Sequence, residues 1–230
     1  MTCVVILQPS YLPWLGYFEQ IYRSDVFVFY DDVQFDKHGW RNRNRIKTAT
    51  GWLWMTVPVL TEGYFGKNVH EIQIDNNLPW ARKHLKAIET NYRKAPYYQD
   101  YIDSFRDIYS KRWQYIAELD IEFVKLICGL LGINRKFVRS KDLKVKGERS
   151  ERLLEICRLF DARIYYSGES AKDYLNAKLF ADAGIEVKYQ HYDHPVYSQL
   201  YGEFIPFLSI VDLLFNCGSE SLGILRGNEN

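Results

Sequence analysis

The chain has 230 residues, 47% of them hydrophobic, and its 30 basic and 29 acidic residues leave a formal charge of +1. This length is enough for one compact domain with a sizeable core. The balanced charge produces no field over the whole molecule that would attract nucleic acid, so nucleic acid is not an expected partner. Any attraction for phosphate has to come from a local group of cations.

The cysteines and the apolar segments predict where the protein resides. The four cysteines lie far apart with no C-x-x-C pair, which is typical of reduced, buried thiols. The N-terminal apolar run ends at Gln8 and Pro9, and the most apolar late segment, "FIPFLSIVDLLF", is too short to span a membrane and contains Asp212. We therefore expect a cytoplasmic protein without a membrane span.

Three predicted elements open the chain. The short apolar run "CVVIL" predicts a buried strand, and "WLGYFEQIYRS" predicts a helix. The next run, "DVFVFY", predicts a second strand with apolar residues on both faces. Two buried strands joined by a helix indicate a parallel βαβ unit.

Two further regions interrupt this alternation before it resumes. Residues 31–75 predict a β-hairpin insertion, because "WRNRNRIKT" and "WLWMTVPV" flank the short turn "ATG", and "VHEIQID" predicts one more strand. Residues 79–131 predict a helical subregion. The later strands "KFVRS", "RIYYSG" and "IEVKYQ" alternate with helical segments. The fold class is therefore α/β, a single domain over residues 1–230 with a mostly parallel, Rossmann-like sheet.

The loop after the first strand, "QPSYLPWLGYF", is a candidate ligand contact. In open α/β sheets, ligands bind beyond the carboxyl ends of the strands, where a helix N-terminus offers free N–H groups. Gln8 can bond a ligand or the loop itself, and Tyr11, Trp14 and Tyr17 can stack on a base or sugar or plug the top of the sheet. Gly16 permits close approach of another group.

The end of this loop resembles the nucleotidylyltransferase superfamily, in which the first loop ends in H-x-G-H before a helix. At the matching place this chain has Trp14, Leu15, Gly16 and Tyr17. Both histidines that would stabilise a transferring phosphate are missing. The resemblance implies nucleotidylyltransferase-type βα units and a nucleotide-binding architecture rather than that reaction.

The predicted hairpin carries an alternating pattern of cations. Every second residue from Arg41 to Lys47 is basic, and a strand's period of two puts all four on one face. Such a face meets either water, as a charged edge strand does, or anions such as phosphate, which a guanidinium binds through paired donors. Neighbouring amides and a Trp add contacts suited to sugars and bases. The substrate-binding candidates here are Gln34, Trp40, Asn42, Arg43, Asn44 and Arg45.

Four residues are candidates for the chemistry. Asp31 and Asp32 follow the second strand and can act as a general base or hold a divalent ion, or they neutralise the adjacent cations. His84 lies on an apolar helix face and is either a base or a core histidine. Lys37 can donate to an oxyanion, a role that Asn42 can also fill.

A later strand tip, in "YYSGESAKDYL", repeats the arrangement of a strand that opens a helix. Ser167 and Gly168 can cradle an anion, although an ordinary βα turn with a serine cap explains them equally well. The motif "HYDHP" offers His191, Asp193 and His194 as metal ligands, but no further cluster has ligand spacing. The residues therefore predict no metal site and assign no cofactor.

Five segments together resemble the WbqC-like family of bacterial proteins. They span nearly the whole chain, and the first two are highly specific. The resemblance implies a role in making or decorating an activated sugar for O-antigen lipopolysaccharide or another surface glycan, and it carries over no catalytic set. The segments are "QPSYLPWLGYF", "SDVFVFYDDVQFDKHGWRNRNRIKTATGWLWMTVPV", "WARKHLKAIETNYRKAPYY", "SERLLEICRLFDARIYYSGESAKDYLNAKLFADAGIEV" and "HPVYSQLYGEFIPFLSIVDLLFNCG".

Three functions are compatible with these patterns. The first is a transferase that adds an acyl or aminoacyl group to an amino sugar carried on a nucleotide. Its partners are a nucleotide-sugar or other phosphorylated small molecule and an acyl or aminoacyl donor. The second is a nucleotidylyl transferase or ligase that uses a nucleotide triphosphate. The third is a non-catalytic protein that binds a glycan or a partner enzyme.

Overall fold

The computed structural model describes residues 1–36, 39–60, 62–63 and 65–227. The strands are β1 (Cys3–Leu7), β2 (Val26–Phe29), β3 (Arg43–Thr48), β4 (Gly51–Thr56), β5 (Lys136–Arg139), β6 (Ile164–Ser167) and β7 (Glu186–Tyr189). The helices are α1 (Leu15–Arg23), α2 (Trp80–Tyr92), α3 (Tyr98–Ser110), α4 (Ile116–Leu130), α5 (Ser140–Leu143), α6 (Arg149–Leu159), α7 (Ala177–Asp182), α8 (Ile210–Cys217) and α9 (Ser221–Arg226).

Five strands form the central sheet in the order β5-β2-β1-β6-β7, and every neighbouring pair is parallel. The chain first moves outwards from β1 to β2 and β5, and then continues on the other side of β1 with β6 and β7. The direction therefore reverses between β1 and β6, which is the place where such sheets bind ligands. The predicted α/β class with a mostly parallel sheet is confirmed.

Core layers cover both faces of this sheet. Val5 of β1 packs in one apolar cluster with residues from the helices after the hairpin, whereas Val4 and Ile6 pack in a second cluster with α6 and α7. All residues of β2 are buried. Burial on both faces explains the continuous apolar runs in these strands.

The predicted hairpin is present as a separate two-stranded antiparallel sheet of β3 and β4. The further strand expected in "VHEIQID" is wrong, because Val69–Glu71 forms a 3-10 turn. The side chain of Asn68 and the carboxylate of Glu71 form a capping box there, and this local pairing favours a turn over a strand. Among the described residues no helix is long and apolar enough to cross a membrane.

Candidate functional site

A cavity of about 670 Å³ opens at the carboxyl ends of β1 and β6, where the direction in which the chain adds successive strands to the sheet reverses. We call it the switch-point cavity. The loop after β1, the start of β3, the turn after β6 and the segment after β7 contribute its walls. Its lining residues are Leu7, Gln8, Ser10, Pro13, Trp14, Tyr17, Gln20, Trp40, Arg41, Asn44, Arg45, Gly168, Glu169, Ser170, Gln190, Tyr192 and Phe207.

The first βα loop places the indole of Trp14 in the cavity wall. Helix α1 begins directly after it, at Leu15. A Cβ atom at Gly16 would lie 2.3 Å from Cη2 of Trp14, a distance that no real contact tolerates. The close approach expected at Gly16 is therefore made by the indole of Trp14, and the glycine allows that ring to fold back over the helix start.

Other aromatic rings extend this wall from a distant part of the chain. The Trp14 ring centroid lies 5.6 Å from that of Tyr192 and 5.6 Å from that of Phe207. His194 stacks against Trp14 with an interplanar angle of 14°. Such a wall offers the flat apolar surface on which a base or sugar ring packs.

Buried amides form the floor, and the carboxylate of Glu19 accepts a hydrogen bond from one of them. Gln190 Nε2 donates to the Gly16 carbonyl at 2.8 Å and to Glu19 Oε2 at 2.6 Å. Gln20 Nε2 donates to Gln190 Oε1 at 2.9 Å. The remaining oxygen, Gln20 Oε1, is buried and has no hydrogen-bond partner among the described residues. A ligand hydroxyl or amine can satisfy it.

Two arginines supply positive charge to the cavity. Arg41 and Arg45 line it, neither forms an ion pair within the described part of the chain, and the Nε atom of each is buried without an acceptor. Burial lowers the pKa of Arg41, whereas Tyr17, Asp120 and Asp36 oppose this shift. Buried guanidinium donors without acceptors are costly, so this arrangement suits an anion that enters the cavity.

Arg45 is held in place by three indoles and one carbonyl. Its guanidinium carbon lies 6.0, 5.2 and 5.7 Å from the ring centroids of Trp40, Trp52 and Trp54. Its Nη2 donates to the Phe207 carbonyl at 3.4 Å. These contacts restrict the rotamers of Arg45 before any ligand binds.

Several predicted substrate-binding residues meet in this cavity: Gln8, Trp14, Tyr17, Trp40, Asn44, Arg45 and Gly168. Two of them, Tyr17 and Asn44, also form hydrogen bonds to backbone groups that stabilise the fold. The Tyr17 hydroxyl donates to the Gln8 carbonyl at 3.1 Å. The Asn44 amide donates to the Leu12 carbonyl at 2.7 Å, while its oxygen accepts from the Arg45 N–H, so Asn44 fastens the loop to the hairpin.

Other predicted substrate-binding residues do not line the cavity. Asn42 is buried away from the cavity lining, and its amide donates to the Val57 carbonyl at 2.9 Å. Arg43 stacks over Trp54 at 4.9 Å and does not line the cavity. Ser167 ends β6, is buried and does not line the cavity. Gln34 is exposed and forms a β-bridge with Asn68.

The expectation that Tyr11 stacks on a ligand is corrected by its position in the core. Its ring is fully buried, and its hydroxyl is 2.8 Å from His84 Nδ1 and 2.5 Å from the Tyr109 hydroxyl. His84 is buried beside it, and burial lowers the pKa of His84 to about 4. His84 therefore lies outside the switch-point cavity as a neutral core histidine, and a weakly basic one.

The predicted catalytic carboxylates lie at the other side of the sheet, against β5 and α6. Asp31 is fully buried and accepts from Arg139 Nε at 2.6 Å, and it also accepts from the Lys141 N–H at 3.2 Å. Asp32 pairs with Arg152. Both carboxylates are thus neutralised by arginines from later segments, and neither lines the switch-point cavity.

Lys37, the fourth catalytic candidate, lies outside the described residues. In the described part of the chain, no group of three or more His, Cys, Asp or Glu side chains is arranged to hold a metal ion. His194, one of the candidate ligands in "HYDHP", instead accepts a hydrogen bond at Nε2 from the Phe207 N–H at 3.1 Å.

Comparison with known proteins identifies the family. The model of the WbqC-like protein family matches residues 8–224, which include the loop, hairpin and aromatic segments that build the cavity. The chain belongs to the WbqC-like protein family. It is 40% identical to "Uncharacterized protein Rv1507c" of Mycobacterium tuberculosis over 228 residues, 98% of each chain. No solved structure matches.

The cavity of this WbqC-like protein contains residues that the sequence patterns did not single out. Gln20 lies within α1, and Gln190 follows β7 directly. Tyr192 and Phe207 come from a segment without strands or helices. One signal was available for Gln190, since it follows a strand tip just as Gln8 does, and strand tips converge on one edge of a parallel sheet.

Proposed function

We propose that this WbqC-like protein is a transferase that adds an acyl or aminoacyl group to a nucleotide-linked amino sugar in the synthesis of a bacterial surface polysaccharide such as O-antigen. The observation that carries the proposal is the pair Arg41 and Arg45, whose buried Nε donors lack acceptors among the described residues in a cavity at the switch point of the sheet. A diphosphate supplies acceptors of the matching charge and geometry.

The rest of the cavity suits the other parts of such a substrate. The Trp14 wall can pack against the base or the sugar ring, and Gln20 Oε1 can accept from a sugar hydroxyl or amine. A volume of about 670 Å³ falls within the range of small-molecule sites. The family resemblance adds the surface-glycan context.

Acyl transfer to an amine requires a proton acceptor near the nitrogen. Among the described lining residues, Glu169 is the one carboxylate, and it stands at the start of a 3-10 turn after β6. Lys172 holds the pKa of Glu169 below its ordinary value, which keeps the carboxylate ionised. We assign this role to Glu169 in place of the carboxylates that lie elsewhere.

Calorimetry with UDP-, dTDP-, GDP- and CMP-linked amino sugars tests the binding step. We expect one class to bind and Arg45→Gln to raise its Kd by about 10-fold or more, since a charge-assisted hydrogen bond contributes roughly 1.5–3 kcal/mol. Arg158→Gln is the matched control, because Arg158 is exposed on α6 and pairs with Glu155. Binding of no nucleotide-sugar would contradict the proposal.

A specific observation favours a second candidate, a non-catalytic glycan-binding protein. Trp40, Trp52 and Trp54 form an exposed aromatic surface next to the cavity, and exposed indoles bind sugar rings without any chemistry.

Complementation of a deletion strain distinguishes the transferase from the glycan-binding protein. If Glu169→Gln protein restores the mass of the surface glycan, binding is sufficient; if it does not while still binding the nucleotide-sugar, the transferase is supported.

A further inference from the structure

Strand β4 is an edge of the two-stranded sheet and lacks the usual protection of edge strands. Its sequence, GWLWMT, contains no charge and no proline. Trp52, Leu53 and Trp54 are 47%, 44% and 38% exposed. Natural edge strands carry charge, proline or a covering element, because unpaired backbone groups beside apolar side chains attract another strand. This edge therefore has the character of an interface.

The hydrogen-bond alternation shows which groups of β4 point away from β3. The Val57 N–H donates to the Asn42 carbonyl at 2.8 Å, in the same register that pairs Ile46 with Leu53. Hydrogen-bonded and non-hydrogen-bonded pairs alternate along an antiparallel ladder. Leu53 consequently bonds to β3, whereas the backbone N–H and C=O groups of Trp52 and Trp54 point outwards.

The outer edge of β3 bonds to other elements, whereas the outward backbone groups of Trp52 and Trp54 on β4 have no partner in the described part of the chain. On β3, the Lys47 N–H donates to the Tyr92 hydroxyl and the Arg45 carbonyl accepts from the Ser209 N–H, both at 2.9 Å. On β4, His84 lies close to the backbone of Thr56. No described residue outside β3 bonds the backbone of Trp52 or Trp54.

We propose that two copies of this chain pair along β4 about a two-fold axis at Leu53, which makes one four-stranded antiparallel sheet. This register sets Trp52 opposite the partner's Trp54, so the outward groups of both residues meet as hydrogen-bonded pairs. Leu53 then meets the partner's Leu53 on the other face. Cross-strand aromatic pairs stabilise a sheet by roughly 0.2–1 kcal/mol each.

A second copy is the occupant that fits this edge, because the W-L-W sequence is symmetric about Leu53 and an uncharged strand meets no repulsion from its own copy. The neighbouring arginines on the same face, Arg43 and Arg45, are both held over the indoles of their own hairpin. A groove of about 330 Å³ runs between β4 and α2, and Leu53, Trp54, Leu78 and Ala87 give it apolar walls. This groove receives side chains of the incoming strand.

The test compares two substitutions at one position by sedimentation equilibrium across a concentration series. Trp52→Pro removes the outward N–H and the indole but leaves the ladder to β3 intact, since the Lys47–Trp52 pair is not hydrogen-bonded. Trp52→Ala removes the indole alone. We expect a wild-type dimer and a dimer Kd at least about 10-fold higher for Trp52→Pro than for Trp52→Ala, because two symmetric hydrogen bonds are lost.

Circular dichroism establishes that both variants fold, and hydrogen exchange gives an independent readout on the wild type. The Trp52 and Trp54 amides should exchange more slowly as the protein concentration rises. Leu159→Ala is the control for loss of an exposed apolar side chain, since Leu159 is exposed at the end of α6 and its truncation should leave the dimer unchanged. A monomeric wild type, which leaves the edge to a different chain, or equal weakening by the two variants overturns the proposal.

Discussion

Gly16 is the residue that allows Trp14 to form a wall of the switch-point cavity. Because a Cβ atom there would lie 2.3 Å from the indole, Gly16→Ala should expel the ring. We expect the free energy of unfolding to fall by about 1–3 kcal/mol, the usual cost of overpacking, and the Trp14 emission to change. Chemical denaturation followed by tryptophan fluorescence measures both.

Gly129→Ala is the matched control for this substitution. Gly129 lies near the end of α4, and apart from its chain neighbours and the helix's own backbone no described atom lies within 4 Å of the place that an alanine methyl group would occupy there. Alanine should therefore stabilise the helix by up to about 1 kcal/mol. If Gly16→Ala were as stable as wild type and retained its emission spectrum, the indole would not depend on this glycine.

The buried His84 predicts a specific pH dependence of stability. Its pKa falls from 6.5 to about 4 on folding because burial disfavours the imidazolium. Because the pKa is lower in the folded protein than in the unfolded chain, the contribution of neutral His84 to the free energy of unfolding is complete above pH 6.5 and is lost as the pH falls through 4. This loss of stability amounts to about 3 kcal/mol. We expect the stability advantage of wild type over His84→Gln to shrink between pH 6.5 and 4.

The difference between the two proteins is the quantity to measure, by urea denaturation at each pH. Burial raises the pKa of Asp212 to about 6, so the contribution of Asp212 is present at low pH and is lost as the pH rises through 6. That opposing slope is common to wild type and His84→Gln and cancels in the difference. A difference independent of pH would show that His84 is not buried as a neutral group.

At the scale of elements, the strands could be predicted from the sequence, but the ion-pair partners of the charged residues at the strand ends could not. Apolar runs bounded by turn residues identify β1 and β2 because burial on both faces is a local property of the sequence. The partners of Asp31 and Asp32 lie 108 and 120 residues away, so the carboxylates looked catalytic. No local pattern reveals an ion pair across such a separation.

The loop after β1 shows the same limit within a few residues. Tyr11 and Trp14 are both aromatic residues of one loop, yet the first enters the core and the second lines the cavity. Leu12 lies between them with φ of 43°, a left-handed conformation that an L-residue seldom adopts. Its carbonyl accepts from Asn44 of the hairpin, so tertiary contact, rather than propensity, sets the direction of each ring.

At the scale of the whole molecule, a buried polar network connects the hairpin to the cavity segment after β7. Lys47 Nζ donates to Gln199 Oε1 at 2.8 Å and to the Glu203 carbonyl at 2.6 Å. Asp212 of α8 accepts from the hydroxyls of Tyr92 and Tyr197 at 2.9 and 3.0 Å. The segment that supplies Tyr192 and Phe207 to the cavity is therefore fastened by a residue of β3.

Lys47→Met should loosen that segment although Lys47 does not line the cavity. Loss of the two hydrogen bonds should lower the free energy of unfolding by about 1–3 kcal/mol, since each contributes roughly 0.5–1.5 kcal/mol. Hydrogen exchange of the amides around Gln199 should become faster, and the Kd of any cavity ligand should rise because the segment must be ordered on binding.

Lys111→Met is the control, since Lys111 is exposed and pairs with Glu122 on a distant surface. Faster exchange confined to the hairpin would mean that Lys47 stabilises β3 alone, and the cavity segment would then be held by its own aromatic contacts.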